Sequence, residues 1–186
     1  MNIVLFGFKC SGKTTCGSLA AYQLNKTFID IDQVIEALYY DPLAGRPQKL
    51  SCRDIYLSMG EKHFRILERE AVRKARLVKE GIIATGGGSI LDFFNYVELK
   101  RLGVLVYLKA DREVIRERIL GLPDPPAYFN VADIEGSFDQ IYQGRIETYE
   151  RVADKVLDTE NLTIEQVGEA IINIYREVNP FNNPGH

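Results

Sequence analysis

Short apolar runs alternate with amphipathic stretches along most of the chain. The runs are "NIVLF" (2–6), "TFI" (27–29), "IIAT" (82–85), "VLVYL" (104–108) and "KVLD" (155–158). They are close to continuously apolar, as strands covered on both faces are, and helical patterns separate them. The alternation predicts an α/β fold, a parallel sheet with helices on both sides. One helix is expected to open at Lys13 and run to about Leu24. A second helical pattern spans about 53–79 and is interrupted at Gly60, where helix propensity drops; Phe64, Leu67, Ala71 and Val78 mark a stripe in its second half. The last helix starts at Thr163, with Gln166 completing a capping-box pattern and Ile164, Val167, Ile171 and Ile174 on its buried face.

Two stretches break the pattern. Residues 39–51, "YYDPLAGRPQKLS", are polar and turn-rich. Residues 121–137, "GLPDPPAYFNVADIEGS", hold three prolines and three acids but neither lysine nor arginine. Residues 1–178 read as one domain, and the tail 179–186 is expected to be disordered. Composition changes this picture little: 46% of residues are hydrophobic and 26% charged. The net charge of −3 argues against a sequence-independent grip on nucleic acid, so an anionic substrate must be met by a few placed cations. Cys10, Cys16 and Cys52 lack metal-binding spacing and read as free thiols of a reducing compartment. No apolar run approaches the roughly 20 residues of a membrane span, and the glycine loop at residue 7 leaves no room for a secretory signal. The expectation is a cytoplasmic monomer that binds neither nucleic acid nor membrane.

The first strand runs into "GFKCSGKTT" (7–15), which matches G-x-x-x-x-G-K-[ST] with Gly7, Gly12, Lys13 and Thr14. The glycines let successive backbone N–H groups curl around phosphate oxygens, and the following helix turns its positive end to the same anion. Lys13 reaches the outer phosphates and the Thr14 hydroxyl ligates Mg²⁺. At the end of the second strand, "FIDID" carries Asp30 and Asp32 at alternate positions, read here as turned to opposite sides if the strand continues. One carboxylate would then hold a metal-bound water while the other faces substrate; alternatively Asp32 merely caps the next helix. In "GEKHFRILERE" (60–70), Glu68 is placed to hold Arg65 rigid for a carboxylate, unless the two are a solvated surface pair. "ATGGGSI" (84–90) puts Gly86, Gly87 and Gly88 at a strand end, where backbone can approach a small anion or hydroxyl. Arg145 and Tyr149 share a helix face, and Asp111 reads as a helix N-cap.

Taken in order, these pieces resemble the shikimate kinase family of P-loop small-molecule kinases. The resemblance rests on Gly7, Ser11, Gly12, Lys13, Thr14 and Thr15 with Gly17; Phe28, Asp30 and Asp32 with Glu36; Gly60, Glu61, Phe64, Arg65 and Glu68; Gly86–Gly88; and Arg145, Tyr149 and Ala153. It implies a three-layer α/β/α fold with a five-stranded parallel sheet of order 2-3-1-4-5. It also implies transfer of the γ-phosphoryl of ATP to the 3-hydroxyl of shikimate, with Mg²⁺. By motif, Lys13 and Asp32 are the catalytic residues. Gly7, Lys9, Cys10, Ser11, Gly12, Lys13, Thr14 and Thr15 hold the nucleotide, with Arg118 against the adenine and a loop near 159–161 flanking it. Thr14 and Asp30 serve the metal. Asp32, Arg65, Arg145 and the Gly86–Gly88 backbone hold the hydroxy acid, the substrate-binding region being about 32–65 and the lid about 121–137.

The chain departs from the family pattern in two places. The family's lid carries Arg-Pro-Leu-Leu, and counting back from Arg145 puts Pro125-Pro126-Ala127-Tyr128 there. The arginine is missing, and the three acids of this stretch would oppose the γ-phosphate. Lys9 is the nearest candidate replacement cation, unless it points to solvent, and Arg118, just before the stretch, is the other, with adenine as its expected task. The stretch between Asp32 and Arg65 is also longer than is usual. Both departures leave open a kinase for another sugar acid, or a kinase-fold nucleotide-binding protein with little turnover.

Overall fold

The computed structural model describes residues 1–43, 45–46, 48–130 and 132–180. β1 (Asn2–Phe6) leads through the glycine loop into α1 (Lys13–Leu24), then β2 (Thr27–Asp30), α2 (Ile31–Tyr39) and α3 (Cys52–Lys74). After these come β3 (Gly81–Ala84), α4 (Phe93–Leu102), β4 (Gly103–Lys109), α5 (Arg112–Leu120), α6 (Ile134–Val152), β5 (Lys155–Asp158) and α7 (Ile164–Val178). The five strands are parallel throughout, in the order β2-β3-β1-β4-β5. Each expected strand is present within a residue or so of its predicted ends.

Alternation along β1 divides the core. Val4 and Phe6 pack with residues of α2 to α6, including Ile35, Phe64, Leu99 and Tyr149. Ile3 and Leu5 pack instead with α1 and α7, through Cys16, Ala20, Val167 and Ile171. These are the two helical layers of the sandwich. Because every strand runs the same way, the loops after β1, β2 and β3 emerge at one edge, which gathers the phosphate-loop motif, the Asp30–Asp32 pair and the glycine run.

Helix α3 is kinked at Gly60, whose backbone (φ 75°, ψ 164°) is not helical. It ends at Lys74, and Val78 is buried from extended backbone beyond the helix rather than as part of the expected stripe. Thr163 and Gln166 form the expected capping box, and Asp111 caps α5. The tail departs from expectation at its first residue. Asn179 is buried, donates to Met1 O and Tyr175 O, and accepts from the Met1 amino group, so the two ends of the described chain are joined. Residues 181–186 of that tail lie outside the described residues.

Asn2 shows how the sheet is tied to its crossovers. Its buried side-chain amide donates to Val78 O and Leu102 O, both at 3.0 Å, where the chain enters β3 and leaves α4. Removing that donor strands two carbonyls. Asn2→Ala is therefore expected to lower unfolding stability by about 2 kcal/mol or more, read as a lower urea midpoint at unchanged slope.

Candidate active site

Helix α1 opens directly from the glycine loop. Gly12 (φ 92°) is its N-cap, and no side chain caps it, whereas α2 to α7 all begin under a side-chain cap. The first-turn N–H groups of α1 are thus left for an anion. Lys13 is buried and its ammonium donates to Phe8 O (2.6 Å) and to Ser11 Oγ (3.3 Å). Burial pulls its pKa down to about 8, against the upward pull of Asp32 and Asp30.

The strand does not continue past Asp30 as the alternation argument assumed. The chain turns into α2 at Ile31, so strand geometry, which would in any case set residues two apart on one face, does not place the two acids. Asp30, not Asp32, is the cap: Oδ1 accepts from the Asp32 N–H (2.9 Å), while Oδ2 accepts from the Thr14 hydroxyl (2.7 Å). Asp32 lies with Oδ2 4.0 Å from the Lys9 ammonium. Its carboxyl is pushed up to about 6, chiefly by burial and further by Asp30 and Glu68, with Lys9 and Lys13 working the other way.

The glycine run is a point of close approach. A Cβ on Gly86 would stand 2.6 Å from Asp32 Oδ1, and one on Gly88 3.0 Å from both terminal nitrogens of Arg65. At Gly87 it would lie 3.3 Å from the Lys9 N–H and 3.7 Å from Arg145 Nη1. Arg65 and Glu68 are not a solvated pair. Glu68 is buried and accepts from Arg65 (2.9 Å), from the Ser89 hydroxyl (2.7 Å) and from the Asn95 amide (3.1 Å). One carboxylate thereby ties α3 to the glycine turn and to α4, and aims Arg65. Tyr149 pins the same turn from α6 by donating to Gly87 O.

Two cavities open at this edge. The first, about 370 Å³, lies over the glycine loop and extends to Arg118, Thr159, Leu162 and Ile164. Arg118 is held there by a bond to Cys10 O (2.9 Å). The second, about 490 Å³, is bounded by Glu36, Arg53, Tyr56, Phe64, Arg65 and Tyr128 among others. Lys9, Thr14, Asp32, Gly86 and Gly87 line both. Arg145 is absent from either lining; its guanidinium lies between aromatic neighbours, 4.4 Å from the Tyr128 ring and 5.5 Å from that of Phe8.

A match to the shikimate kinase family model runs over residues 9–176. The chain belongs to the shikimate kinase family. It is 40% identical over 174 residues to the shikimate kinase of Caldanaerobacter subterraneus, covering 94% of this chain and 95% of that one. The shikimate kinase of Thermodesulfovibrio yellowstonii is 37% identical over 177 residues, 95% and 96% covered. Among solved structures, the Acinetobacter baumannii shikimate kinase in complex with shikimate superimposes with a TM-score of 0.79 at 26% identity, over 95% of this chain and 93% of that one.

Three features of this site escaped the sequence. The acids of 121–137 are engaged elsewhere: Asp133 caps α6, Glu135 pairs with Arg116, and Asp124 lies 3.8 Å from Arg53. They are not arrayed against the phosphate loop. Arg53, in the first turn of α3, reaches this lysine- and arginine-free stretch and donates from Nε to Pro125 O (2.8 Å). Tyr128 brings an aromatic wall over the second cavity. Only tertiary contact reveals Arg53, since a helix-start arginine is commonly solvated. Loss of its charge-assisted bond should free the stretch it holds. Arg53→Ala is expected to speed amide exchange in residues 122–129 by roughly tenfold, with the β1 and β4 amides unchanged.

Proposed function

We propose that the protein transfers the γ-phosphoryl of ATP to the 3-hydroxyl of shikimate, giving shikimate 3-phosphate and ADP. The observation that carries this is the shared wall of the two cavities: Lys9, Thr14, Asp32, Gly86 and Gly87 face both. A donor in one and an acceptor in the other meet at one carboxylate, Asp32, and one cation, Lys9.

ATP occupies the cavity over the glycine loop. Backbone N–H groups of Gly12 to Thr15 take phosphate oxygens, and Lys13 neutralises the charge that spreads over the transferring group. Cys10 and Ser11 complete the loop, and Arg118 lies along the base. The Thr14 hydroxyl and the Asp30 carboxylate are hard oxygen donors already 2.7 Å apart beside the loop, a set that suits Mg²⁺. When bound there the ion would add positive charge at the phosphates. Shikimate occupies the second cavity, its carboxylate met by Arg65, with Arg145 beside the same turn. Asp32 takes the proton of the 3-hydroxyl as that oxygen bonds to the γ-phosphorus and the bond to the bridging oxygen breaks. A carboxylate raised toward neutrality is a stronger base than an ordinary one and remains ionised at pH 7.

Coupled ADP release with ATP, Mg²⁺ and a panel of hydroxylated carboxylic acids tests the reading. Shikimate should stimulate release most. Lys13→Met should abolish it, and Arg65→Ala should raise the shikimate KM by roughly 10–1000-fold while leaving the ATP KM nearly unchanged. No response to shikimate in the native protein would reject the acceptor.

The pH profile is set by the two shifted groups. Asp32 must be ionised, so kcat/KM should fall as pH drops through about 6. Lys13 must be charged, so it should fall again as pH rises through about 8. Lys9 is the largest influence holding the Asp32 pKa down, so Lys9→Met should move the acidic limb to higher pH and lower kcat by about tenfold or more. An acidic limb unmoved in that variant would separate Lys9 from Asp32.

A further inference from the structure

A third cavity, about 220 Å³, lies between the last turns of α3 and the body of α4, and it shares no lining residue with the two described above. On α3, Arg69 and Arg73 are one turn apart and share a face; on α4, Phe94, Glu98 and Arg101 do the same. The rim is aromatic and bare. Phe93 and Phe94, neighbours in the chain, are 71% and 58% exposed, their rings set edge to face with centroids 6.0 Å apart. Single exposed apolar residues need no explanation, but an adjoining pair beside a groove does. Arg69 steadies the rim: its guanidinium carbon lies 4.5 Å from the Phe94 ring, and it donates to both oxygens of Asp92 at 2.6–3.2 Å.

Charge at this face is out of balance. Asp92 is taken by Arg69, and Glu98 accepts from both Arg76 and Arg101. Arg73 is exposed; its guanidinium makes no hydrogen bond or ion pair among the described residues and feels Glu98 at longer range. Arg69, Arg73, Arg76 and Arg101 thus have only Asp92 and Glu98 to answer them, while Glu70 and Lys74 beside them offset one another. The surplus is positive on a chain whose net charge is −3, so an acidic group is repelled by the rest of the surface and steered here.

The size of the groove narrows the occupant. It is smaller than the roughly 300 Å³ at which small-molecule pockets begin, and the exposed aromatic area lies on its rim. A ligand that extends past the groove while inserting one side chain covers both. Arginine and phenylalanine together are the composition of interface anchors. A flat anionic membrane would leave the concavity empty and meet Asp92 and Glu98. A second copy of the same face would set arginine against arginine. We infer that the α3–α4 groove is a docking surface for an acidic segment of a partner protein, whose apolar side chain enters beside Phe93 and Phe94 while its carboxylates pair with Arg73 and Arg101. The inference stands apart from the reading of the other two cavities.

The probe is a fluorescein-labelled peptide in which glutamates flank a central phenylalanine, titrated against the native protein by anisotropy. It should bind about tenfold or more tightly than the same peptide with glutamines for glutamates, and its affinity should fall as salt is raised. Arg73→Gln and Phe93→Ser, both at exposed positions, should each weaken it about fivefold or more and leave the urea midpoint unchanged. Equal affinity for the glutamine peptide, native affinity in either variant, or no binding of either peptide overturns the docking site. Uptake onto phosphatidylserine vesicles that Phe93→Ser abolishes, without peptide binding, gives the face to a membrane and overturns the inference. A concentration-dependent dimer lost in that variant, without peptide binding, gives it to a second copy and overturns it as well.

Discussion

Three charged side chains converge on one turn, and the turn can have no side chains of its own. Gly86 lies against the Asp32 carboxylate and Gly88 under the Arg65 fork, each at a separation a Cβ would disturb, and Gly87 lies close to the Lys9 N–H with Arg145 at ordinary contact distance. The convergence is a product of topology. β3 sits between β2 and β1, so the turn leaving it is flanked by the Asp30–Asp32 corner on one side and the glycine loop on the other. Bonds from Ser89 to Glu68 and from Tyr149 to Gly87 O hold the turn against α3 and α6. A rigid bare turn is thus the reference against which the charges are placed.

Electrostatics at this edge are poised rather than neutralised. Burial drives Lys13 and Asp32 toward their neutral forms, while their mutual attraction and Lys9 restrain the shift of Asp32. Glu68 is treated differently. It is buried too but receives three donors, and its task is to aim Arg65. The contrast separates a carboxylate with lone pairs left for chemistry from one whose capacity is spent on structure.

What the sequence disclosed was what local chemistry encodes. The strands, the glycine loop, the capping box at Thr163 and the Asp111 cap each depend on a few neighbouring residues, and each is where the pattern put it. The Arg65–Glu68 pairing was visible as spacing, but not its burial under Ser89 and Asn95, which arrive from another part of the chain. The Asp30–Asp32 pair was misjudged because residues two apart on a strand share a face and because the strand ends at Asp30; once the helix begins at Ile31, the first acid caps it and the second turns toward Lys9. Arg53 and Tyr128 were invisible for a stronger reason. The partner of Arg53 is 72 positions away and that of Tyr128 lies on a separate helix, and no periodicity carries that information.

A proline-rich stretch with three acids and no base, such as 121–137, cannot be drawn over a phosphate site by its own charge. Here the attraction is supplied from the opposite side: Arg53 of α3 grips a backbone carbonyl at Pro125, and Arg145 of α6 holds the Tyr128 ring. A carbonyl and an aromatic face are neutral partners, so both contacts are less sensitive to salt than an ion pair would be. On the proposed reading, closure over the acceptor then depends on the packing of α3 and α6 around the bare turn. On the same reading, the charge used on the transferring phosphoryl is supplied by the glycine loop, through Lys13 and Lys9. The division leaves the acceptor side free to vary its contacts without altering the phosphate chemistry.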